Sequence, residues 1–265
     1  MTFDDAAMAA EQSGILIEQI NTAEDMVEAI NPVCETFGKQ THDGLWTAMN
    51  PSWDTPQGKA QATSRMVHRW RAATKDHQGR PNTIFLKATV PRDGAAPGGA
   101  RKIVGTAIWL QLSSVAGHGD LPAEDLSKAL DLDKIYPGNE AEQRYLCQAI
   151  HSLHRQRIDL VKKKADSLPP SAMVLDLCVV DPAYQGRGIA KQLVQWGLDE
   201  AKTRGGLECI TEASVMGRRV YEKMGFRQEG PEIVYVVDEQ FAHRDRPSNV
   251  FMRTGNGELG SLSTV

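Results

Sequence analysis

At 265 residues the chain is long for one domain but within reach of a single large core. Apolar residues make up 41% and charged residues 24%, the balance of a soluble globular protein, and a net charge of −4 argues against a broad nucleic-acid-binding surface. No apolar run approaches the roughly 20 residues that span a bilayer, and the acidic start MTFDDAAMAAEQSG lacks the basic-then-apolar order of a signal peptide. The expectation is a cytoplasmic protein that binds neither nucleic acid nor membrane, as a monomer or homodimer.

Residues 1–13 read as a flexible leader, 14–254 as a single domain and 255–265 as a flexible tail. ILIEQI (15–20) alternates like a strand. Thr22 then caps a helix running to about Phe37, with Glu24 and Asp25 in its first turn. Residues 38–58 read as a loop rich in turn formers and aromatics, and 59–76 as a second helix. NTIFLKATV (82–90) and KIVGTAIWLQL (102–112) are strands joined by the Gly- and Pro-rich PRDGAAPGGAR.

Residues 113–170 read as a helical insertion, with a short helix near 122–131 and a longer one over 139–166. The longer one ends in KKKADSLPP, where lysines suit the negative end of the helix dipole and prolines stop it. Lys162 to Lys164 are therefore expected to be a solvated end. His151 and His154, three apart on this helix, lack an obvious third partner, so no metal is expected. The cysteines 34, 147, 178 and 209 form no CxxC pair, so neither zinc nor a disulfide framework is suggested; Cys178 and Cys209 read as small hydrophobes in strands.

From 172 the pattern changes. AMVLDLCVV is a strand, 187–204 a helix, 207–213 a strand and 215–224 a short helix. FRQEGPEIVYVVD gives one or two strands and NVFMR (249–253) a last one. The order implies an α/β fold with mixed strand directions.

The informative stretch is VVDPAYQGRGIAKQLVQWGL (179–198). A strand ends, two glycines and an arginine follow, and a helix begins whose Ala190, Leu193, Val194, Gly197, Leu198 and Ala201 share one face. With that face packed on the sheet, the first amides of the helix point outward and, with the helix dipole, make an anion site. Gly186 and Gly188 remove side chains that would block a phosphate, and Arg187 adds a charged donor. Lys191 spoils a dinucleotide GxGxxG, and no GK[ST] follows for a P-loop.

These residues carry a resemblance. VVDPAYQGRGIA resembles the acyl-CoA-binding motif of the GNAT-type N-acetyltransferase superfamily, Q/R-x-x-G-x-G/A after a strand, with Gln185, Gly188 and Ala190 at its specified positions. Downstream, EASVMGRRVYEKMGF (212–226) resembles the same family's second signature. The clear likeness covers about 174–226. It implies a mixed, mostly antiparallel central sheet flanked by helices, with 113–170 inserted before the coenzyme-binding strand.

It also implies acetyl-CoA as donor, with no metal. The pyrophosphate would meet amides of Gly186, Arg187, Gly188, Ile189 and Ala190. The strand would splay from its neighbour, so that the pantetheine arm pairs with Cys178, Val179 and Val180 as an added strand does. Ser214 either caps the next helix or touches that arm. Tyr221 stands where the family often places a general acid, and a phenol with pKa about 10 is protonated at neutral pH. The Val180 N–H is the candidate for polarising the thioester carbonyl.

The base is less directly implied, because the position where many relatives carry Glu is Val174. Asp176, in an apolar strand and on one face with Cys178 and Val180, is the expected base, with Glu212 and water as further options. Trp46, Trp53, His42 and Asp43 in the 38–58 loop, and Trp109 on a strand, are candidates to line the acceptor pocket. The reading is an acetyltransferase for a primary amine on a small molecule. Transfer to proteins or peptides, which needs an open groove, and a non-catalytic acyl-CoA sensor are the alternatives.

Overall fold

The computed structural model describes residues 14–92, 94, 99–123 and 125–255. The expected leader, most of the 93–98 loop tip and the expected tail beyond Gly255 lie outside them. Among the described residues seven strands form one sheet: β1 (Leu16–Gln19), β2 (Thr83–Pro91), β3 (Arg101–Leu112), β4 (Ala172–Val180), β5 (Glu208–Ser214), β6 (Arg227–Glu232) and β7 (Asn249–Arg253), in the order β1-β2-β3-β4-β5-β7-β6. Only β4 and β5 run parallel. Parallel neighbours need a crossover, and the long helix after the glycine turn supplies it. The sheet is therefore mixed and mostly antiparallel, as expected.

Among the helices, α1 (Ala23–Val33) starts where Thr22 accepts from the Asp25 amide, and continues as a π-helical segment, Cys34–Gln40. The expected 38–58 loop is interrupted by α2 (Gly44–Met49), because the Asp43 carboxylate accepts from the Leu45 and Trp46 amides at 3.0 and 2.8 Å. α3 (Pro56–Arg71) begins earlier than expected, with Thr55 as cap and proline in the first turn. The short insertion helix is two pieces, α4 (Leu126–Ala129) and α5 (Leu132–Ile135), followed by the 24-residue α6 (Glu140–Lys163). After β4 come α7 (Ile189–Thr203) and α8 (Val215–Lys223).

The lysine run at the end of α6 is not wholly solvated. Lys164 is buried and its Nζ lies 3.2 Å from Glu208 Oε2, at the start of β5. The chain turns there into the sheet and takes the third lysine inside, while Lys162 and Lys163 stay exposed.

Two layers cover the sheet. On one face α7 and α8 pack on Leu86, Trp109, Met173 and Leu175. On the other, α1 and α3 cover Phe85, Ile103 and Ile108, and the end of α6 covers Ala172, Val174 and Phe251. Trp109 is fully buried, and Gly197 of α7 sits against its ring: a Cβ there would lie 1.9 Å from ring carbon Cε2. Gly197→Ala is expected to lower stability by about 3 kcal/mol through overpacking, read as a fall in Tm of roughly 10 °C. A melting curve within about 2 °C of the parent would show that the ring has somewhere to go.

Candidate active site

The site is built on an irregularity in β4. Its pairing with β3 shifts between Ile108↔Leu177 and Trp109↔Leu175, which leaves Asp176 as an extra, unmatched residue. A bulge of this kind reverses which face each later side chain takes. Met173 and Leu175 point to the α7 side before it, and Cys178 and Val180 point there after it; Leu177 and Val179 face the α1 side. The expectation that Asp176 shares a face with Cys178 and Val180 is therefore corrected. Asp176 turns the other way, toward α3 and α6.

The same bulge ends the contact with β5. Pairing between β4 and β5 stops at Leu175↔Thr211, where Thr211 Oγ1 donates to the Leu175 carbonyl at 2.9 Å. Beyond it the two strands part. Backbone groups alternate sides in an antiparallel ladder, and the Asp181 amide donates to Val104 on β3. The Cys178 and Val180 amides therefore face the gap. The Val180 carbonyl, on the same side, accepts from Thr36 Oγ1 and Gln185 Nε2, both at 3.0 Å.

The glycine turn closes the far end of this gap. Gly186 and Gly188 have φ of +77° and +80°, values that L side chains rarely adopt, and a Cβ on either would meet nothing within 4 Å. The turn thus needs glycine twice over: for its backbone, and to keep open the space above it. Gly188 precedes α7 without a side-chain cap, so the amides of Ile189, Ala190 and Lys191 stay directed outward. Ile189 is buried in the core and offers only its backbone, while Gln185 spends its side chain on Val180 and Gln40. Arg187 is exposed, with its guanidinium 5.0 Å from the Tyr184 ring. Gly188→Val is expected to weaken coenzyme A binding at least about tenfold, equivalent to ~1.4 kcal/mol, as measured by calorimetry. Unchanged affinity would remove the turn from phosphate binding.

Across the gap stands α8. Ser214 occupies its N-cap position, yet its side chain makes no capping hydrogen bond, and it lines the cleft. Tyr221 is buried against Phe226, ring centroids 5.9 Å apart, and its phenol lies beside the Cys178 thiol. Burial, and then Cys178, raises the phenol well above its ordinary value. Burial likewise pushes the Cys178 thiol up to about 12, so it stays an inert thiol.

Opposite Tyr221, on the other side of the sheet, lies an ion-pair cluster that sequence reasoning missed. Arg157 of α6 is buried and reaches Asp176 Oδ1 at 2.7 Å while gripping the Glu212 carboxylate on β5 through its Nε and Nη2. Arg69 of α3 reaches Asp176 Oδ2, also at 2.7 Å. Burial works to raise the Asp176 carboxyl, but the guanidiniums of Arg69 and Arg157 outweigh it and hold the group far below the usual range. A carboxylate held so firmly as an anion does not take up a proton at neutral pH. The expected base is instead an anchor between α3, α6 and β4. Burial raises Glu212, with Arg157 only partly opposing. His154, one turn before Arg157, is kept neutral because burial, together with the Arg157 charge, lowers it to about 3. The signal for Arg157 was present: it sits on the apolar face of α6 with Ala149, Ile150, Leu160 and Val161. An arginine in such a stripe must meet a buried acid.

A cleft of about 1780 Å³ runs along the gap and opens between α2, α3 and α6. Trp46 lines it, stacked on Phe37 at 6.0 Å and edge-on to Trp53 at 5.7 Å; His42 and Asp43 lie on the same wall. Trp109 does not reach the cleft. It is on the opposite face of β3, under α7, where its Nε1 donates to the Leu193 carbonyl. Its assignment to the acceptor pocket is corrected: it alternates on β3 with Ile108 and Leu110, which face the other way, and so packs in the core with Ala107 against Gly197. Among the described residues no group of three or more His, Cys, Asp or Glu is placed to hold a metal ion, and no helix is long and apolar enough to cross a membrane.

Comparison with known proteins agrees with this geometry. Residues 165–235 match the family described as "Acetyltransferase (GNAT) domain". Among solved structures, arylalkylamine N-acetyltransferase 2 from Aedes aegypti is 18% identical, with a TM-score of 0.55 over 91% of this chain and 98% of that one. An agmatine N-acetyltransferase gives 14% and 0.52 over 90% and 98%. The polyamine N-acetyltransferase of Drosophila melanogaster gives 14% and 0.50 over 90% and 97%. No curated protein sequence matches the chain. The family match spans the open strand edge, the glycine turn and Tyr221, so residues 165–235 resemble a GNAT acetyltransferase domain and the chain as a whole shares the fold of those N-acetyltransferases.

Proposed function

We propose that the protein moves the acetyl group of acetyl-CoA directly onto a primary amine of a small molecule. The observation that carries this reading is the cleft at the splay. It is walled by α2, α3, α6 and the loops around α4 and α5, so the insertion narrows the acceptor side instead of leaving a groove across the sheet. Such an enclosure suits a compact amine better than a polypeptide. The same fold serves acetyltransferases of arylalkylamines, agmatine and polyamines.

In this reading the pantetheine arm lies along Cys178 to Val180, and the pyrophosphate sits on the amides after Gly188. The Val180 N–H polarises the thioester carbonyl. The amine lone pair attacks that carbon, the C–S bond breaks, and the departing thiolate takes the Tyr221 proton. Glu212, whose carboxyl burial moves toward neutrality, accepts the proton lost by the amine, directly or through water. Asp176 and Arg157 hold Glu212 in place. Trp46 and its aromatic neighbours present an apolar wall to the acceptor.

The test is release of coenzyme A thiol from acetyl-CoA with a panel of small amines beside a panel of peptides. Turnover is expected with amines and not with peptides. Peptide turnover alone would replace the acceptor class, and coenzyme binding without any turnover would favour a sensor.

A further inference from the structure

The charges lining the acceptor side of the cleft are unequally matched. Asp176 and Glu212 are neutralised by Arg69 and Arg157. Asp43 is taken by the start of α2, Asp120 hydrogen-bonds Thr74, and Asp131 is paired with Lys134. Each part-buried carboxylate of the cleft thus has a donor within the protein, a cation for Asp131, Asp176 and Glu212 and neutral groups for Asp43 and Asp120.

Arg65 is the converse case. It is half-buried on α3 and lines the cleft. Its guanidinium donates to neutral oxygens, Asn50 Oδ1 at 2.8 Å and the Met49 carbonyl at 3.3 Å, and among the described residues no carboxylate pairs with it. Burial lowers its proton affinity, and only the Tyr136 phenol acts in the other direction, as expected for a cation sheltered without a counter-ion. Arg65 also precedes Arg69 by four residues, one helical turn or about 6 Å. Arg69 touches Asp176 at the bulge, so Arg65 stands one turn along α3 from the point where the strands part.

We propose that the acceptor is an amine that also carries a carboxylate, as amino acids do, and that Arg65 receives that carboxylate. The proposal rests on the small-amine reading above and narrows it. A guanidinium fork matches a carboxylate in shape as well as charge. The amine end lies at the splay beside the thioester, and the acid end lies toward α3.

Matched pairs that differ only by the carboxylate test this: tryptophan and tryptamine, arginine and agmatine, lysine and cadaverine, each read by thiol release. In at least one pair kcat/KM is expected to favour the acid by about tenfold or more, the range of one charged hydrogen-bonded contact. Arg65→Gln, which keeps a donor for the Met49 carbonyl, is expected to cut that ratio at least about tenfold, chiefly through KM of the acid, with Arg65→Lys restoring part of it. Both members of a pair are measured on one preparation, so partial misfolding lowers both and leaves the ratio intact. Preference for the decarboxylated amine in every pair, or a ratio that Arg65→Gln leaves unchanged, overturns the carboxylate site while the small-amine reading stands. No thiol release with either member of any pair overturns both.

Discussion

Arg157→Ala is expected to destabilise the fold by about 3–5 kcal/mol, the usual cost of breaking a buried ion pair from one side. Arg157 is the shared partner of Asp176 and Glu212, and its own side chain is only 6% exposed. Its loss leaves two carboxylates close together, Glu212 with no cation and Asp176 with Arg69 alone. The pH dependence then carries the diagnosis. In the parent protein Asp176 is held below its unfolded value, so its contribution is present above the usual carboxylate range and is lost as pH falls through the folded value. Without Arg157 the Glu212 carboxyl, already raised by burial, rises further above its unfolded value, while Asp176 is held down by Arg69 alone. Relative to the parent, the folded variant binds more protons as pH falls, so its deficit shrinks toward acid pH. Urea midpoints at about pH 8 and pH 5 check this: the deficit against the parent should be larger at pH 8. An equal deficit at both would mean that Arg157 matters for packing and not for charge.

Tyr221→Phe is expected to lower kcat by about 10²-fold or more, the range for removing a general acid. The ring packing against Phe226 is kept and only the hydroxyl beside Cys178 is lost, so the melting temperature should move by no more than a few degrees and coenzyme affinity should hardly change. The raised phenol stays protonated across the neutral range, as the proposed general acid must. A loss of kcat below about threefold would remove Tyr221 from proton transfer and leave it as a core aromatic.

The two predictions probe opposite sides of one bulge. Asp176 occupies the place of an added residue in β4, and this single insertion sends its carboxylate toward Arg157 of α6 and the Cys178 thiol toward Tyr221 of α8. The proposed proton donor, Tyr221, and the proposed acceptor, Glu212, thus stand on separate sides of the gap.

The glycine turn, its helix, the Tyr221 signature and nearly every strand were legible in the sequence, because each depends on neighbours close in the chain. Turn chemistry, a 3.6-residue stripe and a two-residue alternation need no tertiary knowledge. Asp43 as a cap for α2 was equally local, though it was obscured by the turn-forming residues around it. What the tertiary structure alone decided was register and partnership. A bulge is invisible in AMVLDLCVV, since both faces of β4 are buried and no polar alternation marks the slip. It therefore took the pairing with β3 to send Asp176 to Arg69 and Arg157, residues 107 and 19 positions away, and the packing of α7 to set Trp109 in the core beneath Gly197. Charges find partners through space, and no sequence spacing records which arginine a buried acid will meet.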